Sequence, residues 1–439
     1  MAKLRAVTMA ALVALAATAA LAGQAQKQSP HHDHQMASGS IALPKVSALL
    51  DSYPATRKAP GVVAVIGVGH STLTRQAGTL AFDANAAKAD GDSLWRVYSM
   101  TKPITAMAAM ILIEEGKLKL DDPISKFIPA FKNMTVLVDG TKDLTAVPAK
   151  TQITVRHLMT HTAGLGYTIV TKGPLLKAYD EAGITPFTST AQAEKDLRKV
   201  RPASLQAFAE RVATLPLIAE PGTKWSYSIG LDVLGAVIEK ASGMPFDAFL
   251  QKRIFTPLKM QSTYFTVPAA DAKRLVTGYA FVGENPLPLD AGATSVFLQP
   301  PSFPYGGAGL VMSANDYDRF LQMLMFGGTL DGVRIMKPDT VALAMSDLLP
   351  KGVIYPGAVA ATGGTTSTQG FGAGGSVSLV DTPGGPGKGT YGWGGAAGTI
   401  AWVDPKNKVR ATVMVNYLPG DRWPLRTDFT KALYADLAR

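Results

Sequence analysis

The 439-residue chain contains no cysteine. Disulfide bonds, thiolate metal sites, a cysteine nucleophile and a lipid-modified cysteine are therefore all excluded. Charged residues are also sparse, at 17% of the chain, and they form no basic run with interleaved aromatic residues. Although the formal net charge is +10, this scattered distribution argues against nucleic-acid binding.

Long hydrophobic runs are missing as well. The most apolar stretch, residues 6–19, is shorter than the ~20 residues needed to span a bilayer. It follows Lys3 and Arg5 and precedes Ala20-Leu21-Ala22, which is the order of charged, apolar and small residues in a secretory signal peptide. We expect residues 1–22 to be removed, which takes two basic residues and lowers the formal charge from +10 to +8. The product would be periplasmic or secreted, without a stable membrane anchor.

The segment after this signal is polar. Residues 23–43 are rich in glutamine, serine and histidine and predict a flexible lead-in. Its histidines (His31, His32 and His34) could bind a metal adventitiously, but a disordered tract is the favoured interpretation. The ~415 residues left after signal removal exceed the ~250–300 residues of a single compact core, so residues 44–439 are expected to form one domain of two lobes.

Strand signals gather at both ends of this domain, whereas helical patterns dominate the middle. Valine- and isoleucine-rich runs predict strands at 61–69, 72–80, 399–403 and 409–415. We therefore expect an α+β fold, in which residues 44–95 and 305–439 form an α/β lobe around one antiparallel sheet. Residues 96–304 would be a mainly helical inserted lobe, and ligands usually bind in such a cleft between lobes.

Several shorter elements can also be assigned. Helices are expected from Pro44, from the capping cluster near 313–316 and over 424–437. Asp139-Gly140 between two apolar runs predicts a hairpin turn. The stretch from Gly166 to Pro202 shows no strong periodicity.

The string Ser99-Met100-Thr101-Lys102 is the first candidate site. Positions i and i+3 share a helix face, so the Ser99 hydroxyl and the Lys102 amine can meet, and a neutral amine can activate a hydroxyl. Pro103 is compatible with the first turn of a helix, whose free N–H groups favour developing negative charge. The apolar run 104–113 indicates a buried helix. The alternative is that Ser99 only caps that helix.

Other functional motifs are absent or lack the residues and elements that their function requires. No Gly-x-Ser-x-Gly occurs, which disfavours a nucleophile-elbow hydrolase. The glycines 387, 389 and 392 match a dinucleotide fingerprint without the strand before it or the helix after it. His157 and His161 have zinc spacing but lack the glutamate of that motif. We therefore expect neither a metal nor a cofactor.

Several strings in a fixed order carry a family resemblance. The chain resembles the serine β-lactamase and penicillin-binding-protein superfamily, in the branch that holds class C β-lactamases, DD-peptidases and β-lactamase-like esterases. The resemblance runs from about Lys45 to Leu437. The matching strings are Trp95–Pro103, Ile153–Leu165, Trp225–Ser228, Pro257–Met260, Gly306–Leu310 and Tyr391–Thr399.

The resemblance implies a role for each part of the site. Ser99 would be the acylated nucleophile, Lys102 its activating partner and Tyr227 the second acid/base. The oxyanion hole would consist of the backbone N–H groups of Ser99 and Ala396, and two glycines, Gly394 and Gly395, would let that strand approach closely. The family string around His161 implies a supporting histidine, and Trp225 is expected to be core or cleft wall.

Two departures from the lactamase pattern bear on the substrate. The Tyr-x-Asn motif of lactamases is here Tyr227-Ser228-Ile229, and Trp393 replaces the lysine of Lys-Thr-Gly. Losing a charged hydrogen bond costs about 1.5–3 kcal/mol, so anionic β-lactams should bind poorly. Trp393, Gly394, Gly395 and Ile229 would instead form an apolar substrate wall.

These features predict an exported serine hydrolase that forms an acyl-enzyme on Ser99. Its substrates would be small carboxylic esters with short or medium acyl chains. One alternative is a β-lactamase or a D-alanyl-D-peptide hydrolase. Another is a catalytically silent penicillin-binding module that senses cell-wall peptides, although such a module would not need Ser99, Lys102 and Tyr227 together.

Overall fold

The computed structural model describes residues 41–185, 187, 190–356 and 367–438. The predicted signal peptide (1–22) and nearly all of the lead-in (23–43), including its three histidines, therefore lie outside the described residues. Residues 41–43 are irregular and lead directly into the first described helix.

The helices are numbered in chain order. They are α1 (Pro44–Ala55), α2 (Thr101–Glu114), α3 (Val155–Met159), α4 (Gly173–Glu181), α5 (Ala191–Leu197), α6 (Leu205–Val212), α7 (Gly230–Ser242), α8 (Phe246–Leu250), α9 (Ala314–Met325), α10 (Pro338–Ala344) and α11 (Leu425–Leu437). In the described part of the chain, no helix is both long and apolar enough to cross a membrane.

The strands are numbered in the same way. They are β1 (Gly61–Val68), β2 (Ser71–Gly78), β3 (Leu94–Arg96), β4 (Thr135–Leu137), β5 (Ala146–Pro148), β6 (Thr263–Tyr264), β7 (Gly278–Val282), β8 (Asn285–Asp290), β9 (Val311–Ser313), β10 (Thr329–Leu330), β11 (Val333–Arg334), β12 (Gln369–Phe371), β13 (Ser376–Ser378), β14 (Tyr391–Gly394), β15 (Ile400–Asp404), β16 (Val409–Met414) and β17 (Tyr417–Leu418).

The largest sheet unites the two ends of the chain. Its seven strands follow the order β12-β13-β14-β15-β16-β1-β2, and every neighbouring pair is antiparallel. The pairing of β1 with β16, which joins the N-terminal hairpin to the C-terminal strands, sets Val63 opposite Met414. This arrangement confirms the predicted α+β fold with one antiparallel sheet built from both ends of the chain.

Helices cover both faces of this sheet. Along β1, Val62, Ala64 and Ile66 pack into the core that contains α1 and α11. The alternate residues Val63 and Val65 pack into the larger core on the other face. Side chains of a strand alternate between faces, and burying a valine or isoleucine side chain stabilises the fold by roughly 1.5–3 kcal/mol. The uninterrupted apolar sequence of β1 therefore reflects burial on both sides.

The middle of the chain contains most of the helices, together with short strands that periodicity did not indicate. β4 and β5 form the predicted hairpin, but eight residues separate Leu137 from its partner Ala146, so Asp139-Gly140 is part of a wide loop. The segment from Gly166 to Pro202, which has no strong sequence periodicity, contains the short helices α4 and α5.

Candidate active site

Ser99 lies where a strand turns into the most buried helix. β3 ends at Arg96, a single 3-10 turn spans Tyr98–Met100, and α2 begins at Thr101. Tyr98 has a φ of +43°, which costs a residue with a side chain about 1–3 kcal/mol. Ser99 is therefore presented from a strained turn just before a helix N-terminus, slightly earlier than the first helical turn in which the sequence places it.

A buried ion pair holds the strand that precedes this turn. The Arg96 guanidinium donates to Asp290 Oδ2 at 2.7 Å, to the Val276 carbonyl at 2.6 Å and to Ser295 Oγ at 3.0 Å. Because a buried charge must be paired and hydrogen-bonded to be tolerated, this network fixes the chain two residues before the 3-10 turn begins.

Lys102 is in the first turn of α2 and is fully buried. Its Nζ lies 3.2 Å from Ser99 Oγ and donates to the Gly307 carbonyl at 2.7 Å. The i,i+3 spacing thus brings amine and hydroxyl together, as the sequence predicts. Pro103 follows in the same turn, where its missing N–H breaks no helical hydrogen bond.

Tyr227 reaches the same hydroxyl from the segment that leads into α7. It precedes α7 by three residues, and its Oη lies 2.7 Å from Ser99 Oγ. Lys102 Nζ sits 4.7 Å from the centre of the Tyr227 ring. Ser99, Lys102 and Tyr227 therefore form one hydrogen-bonded cluster, in which Ser99 is 6% exposed.

His161 supports the loop that carries Tyr227. Its Nδ1 accepts the Ser228 backbone N–H at 3.2 Å and lies 3.0 Å from Ser228 Oγ, while its carbonyl accepts the Ser226 N–H. Burial, with a smaller contribution from the charge of Lys102, lowers the pKa of His161 well below its usual 6.5. A neutral imidazole therefore braces this loop, in agreement with the supporting role expected from the sequence.

The end of β14 closes against the turn that holds Ser99. A Cβ on Gly395 would lie 2.3 Å from the Val97 carbonyl oxygen and 2.2 Å from Thr399 Oγ1. A Cβ on Gly394 would lie 3.0 Å from the Arg426 guanidinium carbon. Only glycine permits the approach at position 395. The sequence, with Gly394 and Gly395 adjacent, predicts such a close approach.

Ala396 follows directly after this close approach. Among the described residues, no hydrogen-bond partner occupies its backbone N–H or that of Ser99. Arg426, on α11, donates to the Gly395 carbonyl, which belongs to the same peptide unit as the Ala396 N–H. A donor on the carbonyl polarises its peptide, so Arg426 strengthens that N–H as a donor. No sequence motif pointed to Arg426.

Aromatic side chains form a wall beside Tyr227. Trp393 Nε1 lies 3.5 Å from Tyr227 Oη, and the Trp393 ring centre is 5.2 Å from that of Phe371. Tyr355 lies 6.4 Å from Trp393 and 4.9 Å from Trp225, measured between ring centres. Trp393 and Trp225 were expected near the site, whereas Phe371 and Tyr355 carry no local signal.

Ile229 was predicted to contribute to the substrate wall. It is fully buried in the main core, and its backbone N–H donates to the Gly166 carbonyl. None of the described contacts brings its side chain to Ser99 or Lys102. Its role toward a substrate therefore stays a prediction.

The two histidines with zinc spacing have separate partners. His157 Nδ1 accepts the Thr154 backbone N–H at 3.2 Å and completes a capping box at the start of α3, whereas His161 faces Ser228. Over the described ranges, no three histidine or acidic side chains converge in a way that could hold a metal ion.

Comparison with known proteins agrees with this geometry. The Beta-lactamase family model matches residues 46–435. Esterase EstB of Burkholderia gladioli is 31% identical over 411 residues, covering 89% of this chain and 95% of that protein. Lovastatin esterase of Penicillium rubens is 30% identical over 342 residues, covering 72% of this chain and 78% of that protein.

A solved structure extends the comparison to three dimensions. EstCE1, described as a hydrolase with promiscuous acyltransferase activity, aligns with a TM-score of 0.71 at 26% identity, covering 89% of this chain and 98% of that chain. The family match, the esterase relatives and the shared fold support one conclusion. The chain belongs to the beta-lactamase family, within the serine β-lactamase and penicillin-binding-protein superfamily, and is an esterase-like serine hydrolase.

Proposed function

We propose that the protein hydrolyses small, neutral carboxylic esters through an acyl-enzyme on Ser99. The observation that carries this proposal is the convergence of Lys102 Nζ and Tyr227 Oη on Ser99 Oγ, at 3.2 and 2.7 Å. A serine needs an adjacent base to become a nucleophile, and this cluster supplies two groups within proton-transfer distance.

The first half-reaction forms the acyl-enzyme. Ser99 Oγ attacks the ester carbonyl carbon while its proton passes to the Lys102–Tyr227 pair, which acts as one proton-transfer unit. The developing oxyanion accepts hydrogen bonds from the Ser99 and Ala396 N–H groups. The tetrahedral intermediate then collapses, and the alcohol leaves with the proton that the pair had received.

The second half-reaction releases the acid. The same pair takes a proton from a water molecule, which attacks the acyl carbonyl and restores the Ser99 hydroxyl. An alcohol in place of water would accept the acyl group by the same steps, and acyltransferase activity is named for the similar protein EstCE1.

The aromatic wall supports an apolar substrate. Trp393 stands beside Tyr227, where lactamases place a cation. The fully buried Phe371 packs against Trp393, and the partly exposed Tyr355 extends the apolar surface. Apolar rings bury an acyl or alcohol group of short or medium length favourably, and they carry no positive charge to attract a carboxylate. The relatives named as esterases, EstB and lovastatin esterase, agree with this choice.

Substrate preference tests the proposal. Because each missing charged hydrogen bond is worth about 1.5–3 kcal/mol, we expect kcat/KM for p-nitrophenyl butyrate to exceed that for nitrocefin by about a hundredfold or more. Trp393→Lys should raise the β-lactam acylation rate and lower activity on apolar esters. The substitution is made alone, because Ile229, the second lactamase-like position, lies in the core.

Trp393→Phe is the matched control, since it keeps an apolar ring in the wall and should preserve the preference for esters. A wild-type kcat/KM higher for penicillins or D-alanyl-D-peptides than for any ester would favour the β-lactamase or peptidase alternative. Absence of turnover and of fluorophosphonate labelling would favour the binding module.

We also propose that the protein is exported. Lys3 and Arg5, the apolar stretch 6–19 and the small residues 20–22 support cleavage after about residue 22. Mass spectrometry of the protein from the periplasm or medium of a bacterial expression host should find a mature N-terminus near Gly23. An intact N-terminus on cytoplasmic protein would contradict export.

A further inference from the structure

Two glycines, Gly306 and Gly307, lie between helices α2 and α7, and so far only the Gly307 carbonyl has been given a role, as an acceptor for Lys102. A Cβ on Gly306 would lie 2.5 Å from the Leu231 carbonyl oxygen, and one on Gly307 would lie 2.4 Å from Asp232 Oδ2. Thr105 Oγ1 donates to the Gly306 carbonyl at 2.6 Å. The loop is therefore fitted between the helix that carries Lys102 and the helix that follows Tyr227.

Asp232 is the acidic partner of this loop. Its side chain is fully buried on α7, and Oδ1 accepts the Gly307 N–H at 2.9 Å. The carbonyl of Gly307 accepts a hydrogen bond of 2.7 Å from Lys102 Nζ. Gly307 is thus hydrogen-bonded to Asp232 through its N–H and to the Lys102 amine through its carbonyl.

The second carboxylate oxygen has no partner. Asp232 Oδ2 is buried and makes no hydrogen bond to any residue in the described ranges. Burying a carboxylate with only one oxygen hydrogen-bonded costs free energy, unless attraction to a nearby cation offsets that cost. Lys102 is the cation whose field reaches it.

The surroundings of Asp232 are otherwise nearly uncharged. Burial raises its pKa to about 7, and the charge of Lys102 opposes that rise. The other titratable groups that share its field are Tyr167, after α3, and Tyr305, just before the glycines. Helices α3, α6 and α8 also pack on α7, but none of their described charged side chains shifts the pKa of Asp232. Asp232 and Lys102 are therefore each other's principal counter-charge.

We propose that Asp232 is a positioning residue, which fixes Gly307 and thereby the Lys102 amine against Ser99, and whose charge sets the pH range in which the Lys102–Tyr227 pair accepts the Ser99 proton. The inference rests on the proposed roles of Ser99, Lys102 and Tyr227. It assigns a function to the Gly306-Gly307 string and to a carboxylate that does not touch the substrate.

The sign of the pH effect follows from electrostatics. A negative charge near the pair favours its protonated, inactive state. Removing that charge favours loss of the proton, whichever of the two groups carries it. Asp232 is ionised above its pKa of about 7, so in that range the acid limb of the kcat/KM profile must move to lower pH.

The experiment compares Asp232→Asn and Asp232→Ala with the wild type in the full chain, using a neutral p-nitrophenyl ester from pH 5 to 10. With Asp232→Asn, which keeps an acceptor for the Gly307 N–H, the acid limb should move down by about one pH unit or more. With Asp232→Ala, which leaves Gly307 unanchored, kcat should fall about tenfold or more while KM changes less than about threefold.

Asp316→Asn is the matched control. Asp316 is also buried and accepts a backbone N–H, that of Ser262, but it makes no described contact with Ser99, Lys102 or Tyr227. Its pH profile should coincide with that of the wild type. If Asp232→Asn fails to fold, Asp232→Ser removes the same charge and carries the same expectation.

The results separate this inference from the proposed function. If the wild type is labelled at Ser99 and hydrolyses esters, but a folded, charge-removed Asp232 variant keeps the wild-type acid limb, the positioning role is refuted. If the wild type is not labelled at Ser99, the proposed function itself is wrong.

Discussion

We expect Ser99→Ala to abolish ester hydrolysis and fluorophosphonate labelling while the protein remains folded. Removing a nucleophile that acts with its partners as a unit lowers kcat by about a thousandfold or more. The lost hydrogen bonds to Lys102 and Tyr227 should reduce the free energy of unfolding by only about 1–3 kcal/mol. The measurements are steady-state turnover of p-nitrophenyl butyrate, active-site labelling and thermal unfolding by circular dichroism.

Ser313→Ala is the control for stability. Ser313 caps α9 by accepting the Asp316 N–H, so its loss should destabilise the fold by about 1 kcal/mol. Labelling and turnover should persist in that variant. Retention of more than about a tenth of wild-type turnover in Ser99→Ala would show that another group is the nucleophile.

Lys102→Ala and Tyr227→Phe should each lower kcat by about two or more orders of magnitude, and the double variant should be little worse than either one. The reason is that both groups act on one proton, at 3.2 and 2.7 Å from Ser99 Oγ. The measurement is a double-mutant cycle on kcat with a neutral ester. Losses that add fully in log kcat would contradict the coupled unit.

Tyr167→Phe provides the control for a nearby phenol. The Tyr167 ring lies 5.3 Å from Lys102 Nζ and 5.4 Å from the Tyr227 ring, but no described hydrogen bond joins it to Ser99. Removing its hydroxyl should change kcat less than about tenfold, since it takes no part in the proton transfer.

The sequence predicts those parts of the site that depend on local spacing. Ser99 and Lys102 are three residues apart, so the helical backbone of the 3-10 turn and the first turn of α2 brings them together. The glycines before Ala396 indicate a close approach of two backbone segments. At position 395 the nearby Val97 carbonyl leaves no room for any side chain, so glycine is required. The common sheet also follows from local patterns, because strand signals at both ends of the chain have few other partners.

The parts that depend on distant contacts are not visible in the sequence. Phe371 and Trp393 meet because β12 and β14 belong to the same sheet, and Tyr355 reaches Trp393 from a segment outside the strands. Arg426 reaches the Gly395 carbonyl from the last helix. Asp232 had one usable signal, a lone acid in the apolar run of α7, which is unusual for a buried helix.

Short helices were missed for a different reason. α4 has nine residues and α5 has seven, which is too few turns for a hydrophobic period to emerge. Their ends rely on local chemistry instead, such as the Thr190 side chain accepting the Ala193 N–H at the start of α5.

The pairing of β1 with β16 has a consequence for how the protein acquires its structure. Among the described strands, β1 and β2 leave the ribosome first. They form a hairpin whose open edge accepts its partner only when residues 409–414 have been made. Asp436 completes the same closure, because its Oδ2 accepts the Val46 N–H across 390 residues. Contacts between residues so distant in sequence form slowly, and an unpaired strand edge can pair with other chains and cause aggregation. Folding is therefore completed after synthesis, and a chain that ends before β16 is left with an exposed strand edge in place of a central sheet.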